Sequence, residues 1–260
     1  MRGDTHANSK DLINDALHLI EKAQEKNLIL RLIGACAIRV HVPLSCPILS
    51  VFVNERKLTD IDFATYSRDS PRLDSLFIEE GYVPFTRFNT IHGGKQLRYF
   101  ERDNSEKFID VFVDKLEMCH TIYFNKKLEV DYPTIPLAML LLEKMQIVKI
   151  NEKDIKDTIL LFATHEIGDN DHDLINAKYI AQLLSSDWGF YYTVKTNLNK
   201  VQKMLDKYEW VSEKDKTDIR SKIDKLLNII EREPKSLSWR LRSKIGTKKK
   251  WYSEVDEIGG

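Results

Sequence analysis

"RKLTDIDFAT", Arg56–Thr65, sets two aspartates one residue apart in a stretch that otherwise reads as a β-strand. Side chains alternate faces along a strand, so Asp60 and Asp62 point one way while Ile61 and Phe63 point the other. A solvated strand face explains an isolated D-x-D. A cation site explains it too, and needs further residues elsewhere in the chain.

One such residue is in "KFIDVFVD", where Phe108, Asp110 and Phe112 share one strand face and Ile109, Val111 and Val113 the other. A charge between two phenylalanines needs a partner. If this strand lies beside the D-x-D strand, three carboxylates converge into a hard oxygen cage suited to Mg²⁺ or Mn²⁺. Such ions keep free positions for triphosphate oxygens, which suggests phosphoryl or nucleotidyl transfer. A second component lies in "LIGACAI": Gly34 lets a backbone approach closely, and the helix after it offers amides and a positive dipole end to a phosphate. Taken alone, most strand–glycine–helix junctions are turns.

Around these motifs the order is helix, strand, helix, strand, helix, strands. Ser9 caps a helix striped by Leu12, Ile13, Ala16, Leu17 and Ile20. "LILRLIG" is a buried strand ending at Gly34, "ACAIRVHV" a short helix, and "ILSVFV" further strand material. "PRLDSLFIEE" starts with proline and stops before Gly81, and "QLRYFER" pairs with "KFIDVFVD" through the turn "DNSE". From Pro133 the strand signals stop. "TIPLAMLLLEKMQIVKI" is helical, a helix after "NEKD" runs to about His165, and amphipathic helices continue to Glu233. The expected fold is α/β (α+β): a mixed-sheet domain over residues 1–132, a helical domain over 133–233, and a basic tail over 234–260.

Forty Lys plus Arg balance forty Asp plus Glu in the 260 residues, so no global pull towards nucleic acid or membrane is expected. Three cysteines without paired spacing argue against a disulfide framework and a zinc cage. The opening "MRGDTHANSK" lacks the apolar core of a signal peptide, and no apolar run approaches a membrane span. A soluble, cytoplasmic protein is expected. The exception to neutrality is local: seven basic residues and no acid occupy positions 235–250. There "WRLRSKIGTKKKWY" combines cations with Trp239, Trp251 and Tyr252, a pairing suited to RNA as well as to an ordinary solvated terminus.

Glycine at a strand-to-helix turn, an Arg-containing loop leading into D-x-D, and a single strand aspartate resemble the DNA polymerase beta superfamily of nucleotidyltransferases. Within it the chain is most similar to small prokaryotic members grouped with abortive-infection type toxins and antibiotic nucleotidyltransferases. The pattern spans Gly34 to Asp110, and the likeness continues to about His165. It implies transfer of a nucleoside monophosphate from an NTP to an acceptor, with Asp60 and Asp62 as metal ligands and Asp110 as the third carboxylate that activates the acceptor hydroxyl. It further implies nucleotide contacts from Gly34, Ala35, Cys36, Arg56 and Lys144, with Lys153 and Asp154 as secondary candidates. The chain departs from the family after the turn glycine, where serine or a second glycine is usual and "GAC" stands here; a thiol is a weaker donor than a hydroxyl. That departure favours the alternative reading, a catalytically inactive binding or regulatory protein that keeps the fold.

Other residues have ordinary readings beside functional ones. Lys144 lies on the apolar stripe of its helix, where a lysine snorkels from the core edge or reaches a triphosphate. Asn151 caps the next helix. "HGGK", His92–Lys95, reads as a turn, and the acids of "GDNDHD", Gly168–Asp173, as caps of the following helix.

Overall fold

The computed structural model describes residues 4–43, 45–46, 48–49, 52, 58–102 and 104–255. The chain is mixed α and β and divides into two compact units. The first comprises residues 1–43, 50–116 and 122–136, the second residues 44–49, 117–121 and 137–260.

The first unit is built on a five-stranded mixed sheet of order β1-β2-β5-β4-β3. Its strands are β1 (Leu30–Ile33), β2 (Ile61–Thr65), β3 (Tyr82–Pro84), β4 (Gln96–Glu101) and β5 (Asn104–Val113). β2 and β5 run parallel while the other neighbours are antiparallel. Alternation divides the two faces as a period of two requires. Leu30, Leu32, Ile61, Phe63, Leu97, Tyr99, Ile109, Val111 and Val113 are all buried. α1 (Asp4–Glu25) brings Leu12, Ala16, Leu19 and Ala23 into the core at helical spacing. α3 (Ser70–Glu79) stacks Phe77 on Tyr99, ring centroids 4.3 Å apart, and Asp74 accepts from the Tyr99 hydroxyl at 2.7 Å. The outer edge of β1 is closed by residues 133–135: Leu32 N donates to Pro133 O and Ile135 N to Leu32 O.

The sequence expectations need several amendments in this unit. Ser9 lies inside α1, which already starts at Asp4, so it is not the cap. Asp60 precedes β2 rather than standing within it. Of the strand expected in "ILSVFV", the described residues Ile48, Leu49 and Phe52 are helical. Their short apolar run lacks the length that separates a buried strand from a buried helix. A two-stranded ribbon, β6 (Lys115–Glu117) and β7 (Thr121–Tyr123), follows the main sheet.

The second unit is mainly helical: α5 (Leu137–Met145), α6 (Glu152–Thr164), α7 (Ala177–Leu184), α8 (Trp188–Met204), α9 (Glu213–Arg232) and α10 (Leu237–Ile245). Asn151, Asn176, Asp187, Ser212 and Ser236 each accept from a first-turn amide, capping α6, α7, α8, α9 and α10. α5 is shorter than the expected run from Thr134 to Ile150, and strands are not absent after Pro133. β8 (Glu166–Gly168) pairs in parallel with β9 (Leu174–Asn176). Asn176, rather than the acids of "GDNDHD", caps α7, while Asp171 accepts from the Asn176 amide at 3.1 Å.

The basic segment after Pro234 is folded over residues 237–245. Trp239 meets Tyr191 edge to face at 5.1 Å, and the Arg242 guanidinium sits 4.7 Å from the Trp188 ring. Trp251 Nε1 donates to Thr193 Oγ1 at 3.1 Å, and Ser253 N donates to Cys119 O. No helix of the described residues is long and apolar enough to cross a membrane.

Candidate active site

The sheet brings two of the predicted carboxylates into register. Asp62 of β2 is the direct partner of Asp110 on β5, so both side chains leave the sheet on one face. Asp60, two residues before Asp62, is half-buried, and Thr59 Oγ1 donates to its Oδ1 at 2.7 Å. Among the described residues, Asp60, Asp62 and Asp110 do not form a donor group with ligand atoms within 4.8 Å of one another.

Gly34 closes the site from the side of β1. It opens α2 (Gly34–His41) with φ +72°, a left-handed conformation open to glycine at little cost. A Cβ at this position would lie 2.8 Å from Asp62 Oδ2. Ala35 is half-buried beside it. Cys36 is buried, and its thiol donates to the Asp60 carbonyl at 3.4 Å, so it holds the D-x-D backbone. Arg56 lies outside the described residues.

A residue outside the sequence-based assignment dominates the geometry. Arg98 of β4 stands opposite Asp110, and its Nε and Nη2 donate to Oδ1 and Oδ2 at 2.7 and 2.8 Å. The guanidinium lies 4.9 Å from the Phe88 ring centroid and 4.8 Å from that of Phe108. α4 (Thr86–His92) fixes the backbone of Arg98: its N–H donates to Asn89 Oδ1 at 2.7 Å and its carbonyl accepts from Asn89 Nδ2 at 3.1 Å. The hydrogen bonds to Asp110 raise the Arg98 pKa against the opposing effect of burial, and the charges of Asp62 and Asp60 add to the rise. Among the described residues, Arg98 is the cation paired with Asp110 on this acidic face.

Lys144 belongs to the second unit. Its Nζ is buried 3.3 Å from Asp157 Oδ2 and 3.4 Å from Asp154 Oδ1. The first is an ion-pair contact rather than an aligned hydrogen bond. Asp154 thus serves two groups, since its backbone N–H also donates to the Asn151 cap. Lys153 is exposed.

No protein-family model matches the chain, and no curated protein matches it.

Proposed function

We propose that the chain is a divalent-cation-dependent nucleotidyltransferase of the polymerase beta-like class, moving a nucleoside monophosphate from an NTP to an acceptor. The observation that carries this reading is the direct pairing of Asp62 with Asp110 on adjacent parallel strands, with Asp60 two residues before Asp62 and Gly34 leaving room for the Asp62 carboxylate. The donor set is all carboxylate oxygen, which fits Mg²⁺ or Mn²⁺. A cation held by Asp60 and Asp62, with Asp110 as the third carboxylate ligand, would neutralise triphosphate charge and act as a Lewis acid. Asp110 takes the proton of the acceptor hydroxyl as the acceptor oxygen bonds the α-phosphorus and pyrophosphate leaves.

Incubation with each labelled NTP, Mg²⁺ or Mn²⁺, and cell extract tests the reading. Label should enter one macromolecular or small-molecule fraction, and Asp60→Asn and Asp62→Asn should abolish it. Full labelling by either variant overturns the site.

RNA is the first acceptor to test, because exposed Lys244, Lys248, Lys249 and Lys250 follow one another without an intervening acid. The alternative, a catalytically inactive binding protein, is favoured by Cys36: its thiol is turned to the Asp60 carbonyl, where the family pattern has a serine hydroxyl or a glycine amide for phosphate. Binding of Mg²⁺ and NTP without labelling of any fraction would select it.

A further inference from the structure

Both oxygens of Asp110 are taken by Arg98, and the three carboxylates are not drawn together within ligand distance among the described residues. These two observations have one cause if the guanidinium occupies the place of a metal. We infer that Arg98 gates the acidic face: it neutralises Asp110 while no cation is present, and turns to the polyphosphate when a divalent cation enters. The inference rests on the proposed nucleotide site and assigns Arg98 as its positioning residue.

Four features support a group built to exchange partners. A guanidinium cannot give up its charge, so it must be matched by an anion in either state. The site supplies one anion to the closed state, Asp110, and a triphosphate supplies the other through the same bidentate geometry. The rings of Phe88 and Phe108 lie 4.9 and 4.8 Å from the guanidinium, and a planar ion against aromatic rings keeps their attraction while its hydrogen bonds are exchanged. The backbone of Arg98 stays pinned by Asn89, so movement is confined to the side chain.

The consequence is reciprocal coupling. A cation alone must separate Asp110 from Arg98 and leave the guanidinium without an anion. A triphosphate arriving with it removes that cost, so each should strengthen the binding of the other by the same factor.

Mn²⁺ binding to the full chain, read from the electron paramagnetic resonance of the free ion, tests this with and without α,β-methylene-ATP. Wild type should bind Mn²⁺ about tenfold tighter with the analogue than without it. Arg98→Met should bind Mn²⁺ alone about fivefold tighter than wild type, and its gain from the analogue should fall below about threefold. Arg98→Lys, which keeps the charge without the fork, should lie between them. Mn²⁺ should raise the melting temperature of Arg98→Met more than that of wild type, a reading that survives a destabilised variant. Arg98→Met that binds Mn²⁺ alone no tighter than wild type overturns the gate, as does wild type that binds no Mn²⁺. Coupling without transfer of label would sink the transferase reading and keep the gate; transfer with unchanged coupling in Arg98→Met would do the reverse.

Discussion

A side chain at Gly34 would collide with the carboxylate of Asp62: the Cβ would lie 2.8 Å from Oδ2. Backbone and contact constrain the position separately, since φ +72° already disfavours every residue with a Cβ. Gly34→Ala should therefore destabilise the chain by about 1–2 kcal/mol from the backbone alone, with a further loss from displacing Asp62. In urea titrations, Asp62→Ala in the same chain should recover the contact part and leave the backbone part. Equal losses in the single and double variants would show that no contact exists.

Loss of charge at Asp60 or Asp62 should separate function from stability. Asp60→Asn and Asp62→Asn should bind no Mn²⁺ while unfolding at a similar denaturant concentration, because the relief of clustered negative charge is offset by the lost attraction to Arg98. Asp110→Asn should behave differently. It strands the Arg98 guanidinium in a site where its side chain is 13% exposed, and removing one partner of such a pair costs about 3 kcal/mol. A stability unchanged in Asp110→Asn would contradict the bidentate pair.

Lys144 should prove structural as well as charged. Asp157 is 1% exposed, and Lys144→Met leaves its carboxylate without the ammonium 3.3 Å away. A loss of about 3 kcal/mol is expected in chemical unfolding, and Lys144→Met/Asp157→Leu should recover most of it. A titration of NTP binding on the double variant then isolates the triphosphate role: unchanged affinity would leave Lys144 as a packing residue only.

The distribution of signal between sequence and structure follows from what each motif depends on. The strand placement of Asp62 and Asp110, the turn at Gly34 and the pairing of β4 with β5 were legible, because alternation and a glycine at a strand end are local properties; Asp60 falls just before β2, where alternation no longer fixes its direction. Arg98 was not. Glu101 pairs with Asn104 at the turn, and counting back from there would set Arg98 opposite Lys107; a bulge at Phe100/Glu101 shifts the ladder so that Asp110 stands there instead. The partners of Lys144 depend on how α5 and α6 pack, which periodicity does not reveal. β8 and β9, three residues each, are too short to show a period.

Acid should destabilise the second unit through His120. Its ring stacks on Phe190 at 4.8 Å, Nε2 lies 2.9 Å from Thr193 Oγ1, and burial pushes its pKa down to about 4 despite the opposing charge of Asp187. The folded state holds the ring neutral while the unfolded chain takes a proton below about 6.5. Stability is thus full above that pH and falls as pH drops towards 4, by up to roughly 3 kcal/mol. His120→Phe keeps the stack without the titration. Between pH 7 and 4, urea unfolding of wild type should lose about 2–3 kcal/mol more than the variant does. Parallel pH profiles would exclude the assignment.

The basic segment calls for a charge test rather than a truncation. Ending the chain at Glu233 would strip Trp239 and Arg242 from Tyr191 and Trp188, so lost binding could not be separated from lost packing. Lys244→Glu/Lys248→Glu/Lys249→Glu changes exposed positions only. If RNA is the acceptor, this variant should bind a single-stranded oligonucleotide at least tenfold more weakly at low salt, and the difference should shrink as salt rises. Equal binding would direct the search to a protein or small-molecule acceptor.

The pairing of β2 with β5 joins positions 48 residues apart, 62 and 110, whereas Arg98 and Asp110 are 12 apart and share a hairpin. Loop closure favours the nearer contact, so the hairpin is expected to form early and β2 to dock late in folding. Asp110 then meets Asp62 already carrying its counter-ion. On this order of events the two acids of the β2–β5 pair do not meet as two bare charges, and the docking of β2 is spared part of their repulsion.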